Sequence, residues 1–314
     1  MTSHPIKTAY IEANGLAFEV DMCGDGRKFA LLLHGFPENK FSWRYQLPLL
    51  AELGYTAWAP NLRGYGGTTR PQGVEAYRME HLTADVAALI DAARARGIDG
   101  PTTLIAHDWG GAIAWSFVLS GARPLERFIV MNLPHPTLFL KALKTWAQIK
   151  RSWYVFFFQI PWLPEKIFTM RNAEAVAQAF RGMAVDKSRF PDSVLDQYRK
   201  SALLPGAMTA MINYYRAAFR NQAASEALQN PPLLETPTLM IWGEEDAALG
   251  RELTYGTDAL VKDFTIRYLP QVSHWVQQEA PEAVNAMIGA WIEGRPVPQA
   301  GLRGQILLGE GGDS

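Results

Sequence analysis

The chain has 314 residues, 48% apolar and 19% charged, proportions that exclude a disordered or fibrous protein and suit one large globular domain carrying an insertion. Thirty basic side chains face thirty-one acidic ones, for a net charge of -1, and no Lys/Arg-rich run stands out, so neither nucleic acid nor an anionic membrane is an expected partner. Cys23 is the only cysteine, which rules out an intrachain disulfide and thiolate metal sites and fits a reducing, cytoplasmic setting.

In chain order, Thr8 to Glu12 and Leu16 to Asp21 flank Ala13-Asn14-Gly15, a turn signal that predicts a hairpin. Phe29 to Leu33, Tyr55 to Pro60 and Thr102 to Ala106 are short, wholly apolar runs, as parallel strands covered on both faces require. Leu82, Val86, Leu89, Ile90 and Ala93 recur at helical spacing, with Gly97 as a C-terminal stop. Gly110 to Leu119 predicts a further helix and Phe128 to Met131 a further strand. Between about Pro136 and Gln229 strand patterns vanish and helical ones rich in Trp, Phe and Met take over; Met208, Met211, Ile212, Tyr215 and Phe219 share one helical face. Trp153 to Leu163 is the most apolar stretch, but a membrane span needs about 20 apolar residues. Strand patterns return at Thr236 to Trp242 and Phe264 to Tyr268, and a helix at Pro281 to Ile292. The sum is an α/β fold with a mostly parallel sheet flanked by helices: residues 1–136 and 230–293 form the core, 137–229 a helical cap over the C-terminal edge of the sheet, and 294–314 a loose tail.

The third apolar strand runs into Ala106-His107-Asp108-Trp109-Gly110-Gly111, the strand, small residue, nucleophile and glycines of a nucleophile elbow. An esterase carries Ser where this chain carries Asp108. A carboxylate displaces leaving groups from saturated carbon and leaves an ester on the protein. Asp108 on its own fits a helix N-cap equally well; the rest of the constellation decides between the two. An acid and a histidine should follow in that order, and Trp242-Gly243-Glu244-Glu245-Asp246 and Val272-Ser273-His274-Trp275 both end strands. Asp246, rather than Glu244 or Glu245, is expected to orient His274 as general base. His34, His107 and His135 read as buried, hydrogen-bonded residues, and His4 and His81 as surface ones. Hydrolysis of the ester needs two N–H groups facing an oxyanion, for which Trp109 and Phe36 are the candidates. Trp109, Phe158 and Trp275 are expected to line an apolar substrate site. No zinc or dinucleotide fingerprint is present in the sequence, so no metal or cofactor is expected.

From about Thr8 to Glu293 the chain resembles the α/β-hydrolase family, and within it the soluble epoxide hydrolases. The marks are His34-Gly35-Phe36-Pro37-Glu38, His107-Asp108-Trp109-Gly110-Gly111, Asn132-Leu133-Pro134-His135-Pro136, Trp242 to Asp246 and Ser273-His274-Trp275, with Trp153-Tyr154, Phe158 to Pro161 and Asn213-Tyr214-Tyr215-Arg216 in the cap. Ala106 stands where many relatives have glycine. The resemblance implies that Tyr154 and Tyr215 hold an epoxide oxygen, with a small hydrophobic epoxide and water as substrates. Tyr214 is the alternative to Tyr215, and both cap tyrosines also fit plain core packing. Two rivals share the pattern: a haloalkane dehalogenase with the same Asp nucleophile, which usually has a second halide donor where this chain has Phe36, and a non-catalytic receptor, which is expected to lack a catalytic group.

Overall fold

The computed structural model describes residues 4–220 and 231–307. The hairpin forms from β1 (Lys7–Ala13) and β2 (Leu16–Cys23), paired antiparallel with Ala13 opposite Leu16. Asn14 and Gly15 alone make the turn, both at positive φ (49° and 70°), which the small amide side chain and the absent Cβ tolerate.

Six further strands complete the sheet: β3 (Lys28–Leu33), β4 (Tyr55–Pro60), β5 (Thr102–His107), β6 (Arg127–Met131), β7 (Thr238–Gly243) and β8 (Phe264–Leu269). Their order is β1-β2-β4-β3-β5-β6-β7-β8, with β2 antiparallel to β4 and every pair from β4 to β8 parallel. The apolar runs alternate between faces. Leu31, Leu33, Leu104, Ala106, Phe128, Val130, Met240 and Trp242 point to one side, and Ala30, Leu32, Ile105, Ile129, Met131, Leu239 and Ile241 to the other. α2 (Met79–Arg94) and α3 (Trp109–Ser120) cover the first face, while α1 (Gln46–Glu52) and the helix Pro281–Ile292 cover the second. The sequence reading did not place α1, although Leu47, Leu50 and Ala51 have helical spacing and are buried.

From β3 the chain crosses to β4 on one side and then returns to β5 on the other. The strand order therefore switches between β3 and β5, which opens a crevice at their C-terminal ends. Over that edge lies a helical insertion between β6 and β7: α4 (Pro136–Ala142), α5 (Trp146–Arg151), α6 (Trp153–Phe157), α7 (Leu163–Met183, broken at Arg171 to Ala173 by positive φ), α8 (Asp192–Ala202) and α9 (Ala207–Arg220). The last part of the expected 137–229 segment, residues 221–229, lies outside the described residues, as does residue 230.

Two expectations need correction. α9 is not apolar on one face alone: Tyr214 is as buried as Met211 and Ile212, because the helix is enclosed by both the core and the insertion, whereas Phe219 near its end is exposed. The segment after Gly294 is not loose as far as Leu307. Gln299–Ala300 pairs antiparallel with Ile306–Leu307, and the Arg267 guanidinium of β8 donates to the carbonyls of Val297 (2.8 Å) and Pro298 (3.1 Å). Glycine content suggested looseness, but these backbone acceptors tie the segment to the sheet edge. Residues 308–314 lie outside the described ones.

Candidate active site

The C-terminal ends of β5, β7 and β8 bring Asp108, Asp246 and His274 together, although they are separated by up to 166 positions in the chain. Asp108 holds φ 48° and ψ −122°, a conformation that costs a non-glycine residue on the order of 1–3 kcal/mol and is typical of a side chain held out at a functional turn. Its neighbour across the crevice must be small: a Cβ on Gly35 would lie 2.4 Å from both the Cβ and the Oδ1 of Asp108. Gly243 is constrained in the same way by the carbonyl of Ser273, 2.0 Å from where its Cβ would sit, which lets the turn bearing His274 approach the end of β7.

His274 Nδ1 donates to Asp246 Oδ2 at 2.6 Å, and its Nε2 faces Asp108 Oδ2 at 3.5 Å. Asp246 is fixed in turn. Asn132 Nδ2 donates to its Oδ2 (2.7 Å), and the N–H groups of Ala248 and Leu249 donate to its Oδ1 (2.8 and 2.9 Å). The two rival acids stand elsewhere, Glu245 exposed and Glu244 paired with Arg251. Burial works against charge on His274, but the carboxylates of Asp246 and Asp108 outweigh it and lift its pKa to about 10. Burial likewise opposes ionisation of Asp108 and Asp246, yet the hydrogen bonds and charge of His274 leave both below the usual carboxylate range.

The backbone N–H of Phe36 donates to Asp108 Oδ1 at 2.7 Å. Trp109, the second N–H predicted for an oxyanion, follows Asp108 as the first residue of α3. Above the carboxylate the walls are aromatic. The Phe36 ring lies 5.3 Å from both Phe158 and Tyr215 and 5.8 Å from Phe168, and Tyr215 lies 4.9 Å from Trp109 and 5.9 Å from Tyr154. Burial first, and then the negative charge of Asp108, raises the pKa of both Tyr154 and Tyr215, so each keeps its proton at neutral pH and is sensitive to the carboxylate below. Tyr214 has a different partner: its hydroxyl donates to the carbonyl of Arg63 at 2.8 Å. Trp275 is buried behind His274, its ring 4.4 Å from Phe180 of α7 and 4.8 Å from the imidazole.

Three residues that the sequence did not single out as functional support this arrangement: Asn132, Phe168 and Glu38. Glu38 is fully buried, and its Oε2 accepts from the N–H of Gly35 (2.8 Å) and faces His107 Nδ1 (2.7 Å), while Oε1 accepts from Gln277 and Gln278 (both 2.8 Å). Burial opposes its charge, but His107, the Gly35 N–H and His34 keep its pKa lowered. His107 Nε2 donates to the carbonyl of His274 at 2.8 Å, so one buried network joins the loop carrying Phe36, the residue before Asp108, and the turn bearing His274. The expected structural roles of the other histidines agree with their contacts. His34 Nδ1 donates to the carbonyl of Gly35 (2.9 Å) and its Nε2 accepts from Leu62 (3.0 Å), and His135 caps α4 through Thr137 (3.2 Å); burial lowers both pKa values to about 4. Among the described residues no cluster of three potential metal ligands occurs, and no helix is long and apolar enough to cross a membrane. A cavity of about 600 Å³ opens at the opposite edge of the sheet among Arg127, Asp263, Arg267, Trp291 and Arg295, and none of the predicted site residues lines it.

A model of the alpha/beta hydrolase family matches residues 30–287. The chain is 32% identical over 286 residues to the AB hydrolase superfamily protein YfhM of Bacillus subtilis (90% of this chain, 96% of that protein). It is 35% identical over 290 residues to epoxide hydrolase 4 of Mus musculus (90% and 78%). Among solved structures, an epoxide hydrolase of Bacillus megaterium in complex with an inhibitor superposes with a TM-score of 0.81 at 27% identity, covering 91% of this chain and 100% of that one.

Proposed function

Because the chain belongs to the alpha/beta hydrolase family, we propose that Asp108, Asp246 and His274 act together, with Tyr154 and Tyr215, to hydrolyse a hydrophobic epoxide to a vicinal diol. The observation that carries this reading is a pair of protonated phenols, edge to face 5.9 Å apart and within the field of Asp108, whose backbone is strained and whose carboxylate faces an acid–histidine pair. The similar proteins named epoxide hydrolases support it.

In the first step an Asp108 carboxylate oxygen forms a bond to an epoxide carbon while the ring C–O bond breaks. The departing oxygen would be a strongly basic alkoxide, and a phenol proton neutralises it; Tyr154 and Tyr215 are the donors. Tyr214 is a poor candidate because its proton is already committed to Arg63. The product is a hydroxyalkyl ester on Asp108. In the second step His274 takes a proton from water, and the resulting hydroxide attacks the ester carbonyl carbon. The N–H groups of Phe36 and Trp109 receive the charge that builds on the carbonyl oxygen, each such donor accounting for about 2.7–4 kcal/mol in comparable sites. Collapse breaks the acyl C–O bond, the departing alkoxide takes the proton left on the incoming oxygen so that Asp108 is a carboxylate again, and a proton from the His274 imidazolium restores the phenol that gave one up in the first step. Water supplies one carboxylate oxygen and no cofactor takes part. The helical insertion acts as a cap, its Tyr154, Phe158, Phe168 and Tyr215, together with Phe36 and Trp109, presenting an apolar surface to the substrate. Trp275 braces His274 from behind rather than touching the substrate.

A parallel assay with styrene oxide and 1-chlorobutane tests the reading. Diol without chloride is the expected result; chloride release without diol would replace it with dehalogenation. The Tyr154→Phe/Tyr215→Phe variant is expected to slow ester formation by about three orders of magnitude, within the range for loss of a positioned acid, while leaving the folded state unchanged by circular dichroism. Pre-steady-state alkylation at the wild-type rate would remove the phenols from the scheme.

A further inference from the structure

The outward side of the insertion has a composition unlike that of the rest of the chain. From Lys141 to Arg171 it carries six cationic side chains (Lys141, Lys144, Lys150, Arg151, Lys166 and Arg171) and a single acid, Glu165, in a protein whose net charge is -1. Glu165 is already held by the inward-facing Arg216, and Arg151 by Glu252; among the described residues the other five cations have no acidic partner. Interleaved with them are Trp146, Trp153 and Trp162, which are 69%, 64% and 67% exposed, with Phe156, Ile160 and Ile167 exposed beside them. Large apolar side chains left in water as a group mark an interaction surface. Tryptophan and lysine interleaved along short helices are what the headgroup region of a bilayer accommodates, indole at the boundary and ammonium among the phosphates.

We propose that this face of the insertion docks on an anionic lipid bilayer. Sequence alone did not reveal it, because the cations are spaced along the chain rather than consecutive and only their shared exposure joins them. Charge complementarity favours lipid over a second copy of the chain: two such faces would bring ten unpaired cations together. The face is also the back of the candidate site. Trp153 and Phe156 of α6 point outward, while Tyr154 of the same five-residue helix packs toward Tyr215 and Phe158. If the proposed epoxide chemistry holds, docking sets the apolar site beside the phase in which an apolar epoxide accumulates; the docking itself does not depend on that chemistry.

Sedimentation with phosphatidylcholine vesicles, alone or with about one third phosphatidylglycerol, is the test. Binding roughly tenfold stronger to the anionic vesicles, reversed by raised salt, is expected. Trp146→Ser/Trp162→Ser and, separately, Lys144→Glu/Lys150→Glu are each expected to remove most of that binding. Both should keep the wild-type rate on a water-soluble epoxide and an unchanged melting transition. No binding by the wild-type protein at low salt, or binding that survives both pairs of substitutions, overturns the proposal. A wild-type dimer that the Trp146/Trp162 pair turns into a monomer, with no vesicle binding by either, assigns the face to self-association instead and also overturns it.

Discussion

Asp108→Ala is expected to reduce turnover of styrene oxide by roughly four to six orders of magnitude, the scale on which loss of a covalent nucleophile is felt in other enzymes. The fold should survive, since Ala meets the same positive φ as Asp and leaves the clearance from Gly35 intact. What disappears is the oxygen that must reach carbon first and the charge that faces His274 Nε2. The wild-type protein offers a second readout of the same claim. In one turnover with protein in excess in H₂¹⁸O, the heavy atom should enter the carboxylate of Asp108 and not the diol, because water attacks the acyl carbon. Label found directly in the diol would mean that activated water opened the ring and that Asp108 only oriented it. Substantial diol formation by the Ala variant would lead to the same conclusion.

The residues proposed as nucleophile, acid and base could be singled out in the sequence for one reason: each stands where an apolar strand run ends. Parallel strands put all such ends at one edge, so chain order and strand order together bring Asp108, Asp246 and His274 within hydrogen-bonding reach. The choice of Asp246 over Glu244 and Glu245 rested on the same reading of the strand end and agrees with the contacts made by all three. The tyrosines are different. Helical periodicity in α9 put Tyr215 and not Tyr214 on the apolar face, but the helix is buried nearly all round and both rings are enclosed, so periodicity gives no ground for choosing between them. The distinction lies in the Arg63 carbonyl, an acceptor some 150 positions away that no local pattern reveals. The network joining Glu38 to His107 could not be read for a related reason, although His107 was expected to be buried and hydrogen-bonded. Their significance is the network itself, whose members come from the β3 loop, the end of β5 and the helix Val276–Glu279, and an isolated glutamate after Pro37 reads as an ordinary turn residue. The tail from Gly294 to Leu307 failed in the opposite direction: composition pointed to looseness where Arg267 supplies fixed donors.

His274→Gln should separate the two chemical steps. Glutamine accepts no proton at neutral pH, so ester hydrolysis stops while the Asp108 carboxylate and the phenols above it are left intact. The expected result is a burst of epoxide consumption equal to the amount of protein, followed by almost no turnover, with intact mass raised by one substrate and the adduct located on the peptide bearing Asp108. The raised pKa of His274 bears directly on this. At about 10 the resting imidazole is protonated at neutral pH and cannot be a base, but two carboxylates hold it there, and alkylation converts one of them to a neutral ester. With Asp108 silenced, burial opposes the charge with only Asp246 left to support it, and the proton becomes easier to lose at the stage when a base is required. In the proposed mechanism alkylation thus arms the base for the second step. Single-turnover hydrolysis of the pre-formed ester should therefore depend on a base whose pKa lies well below that of the resting protein, so that hydrolysis is already at its plateau at a pH where the free enzyme still holds its imidazolium. A His274→Gln protein that turns over slowly without accumulating ester would place the histidine in ring opening rather than in hydrolysis, and the order of events proposed for the site would have to be reversed.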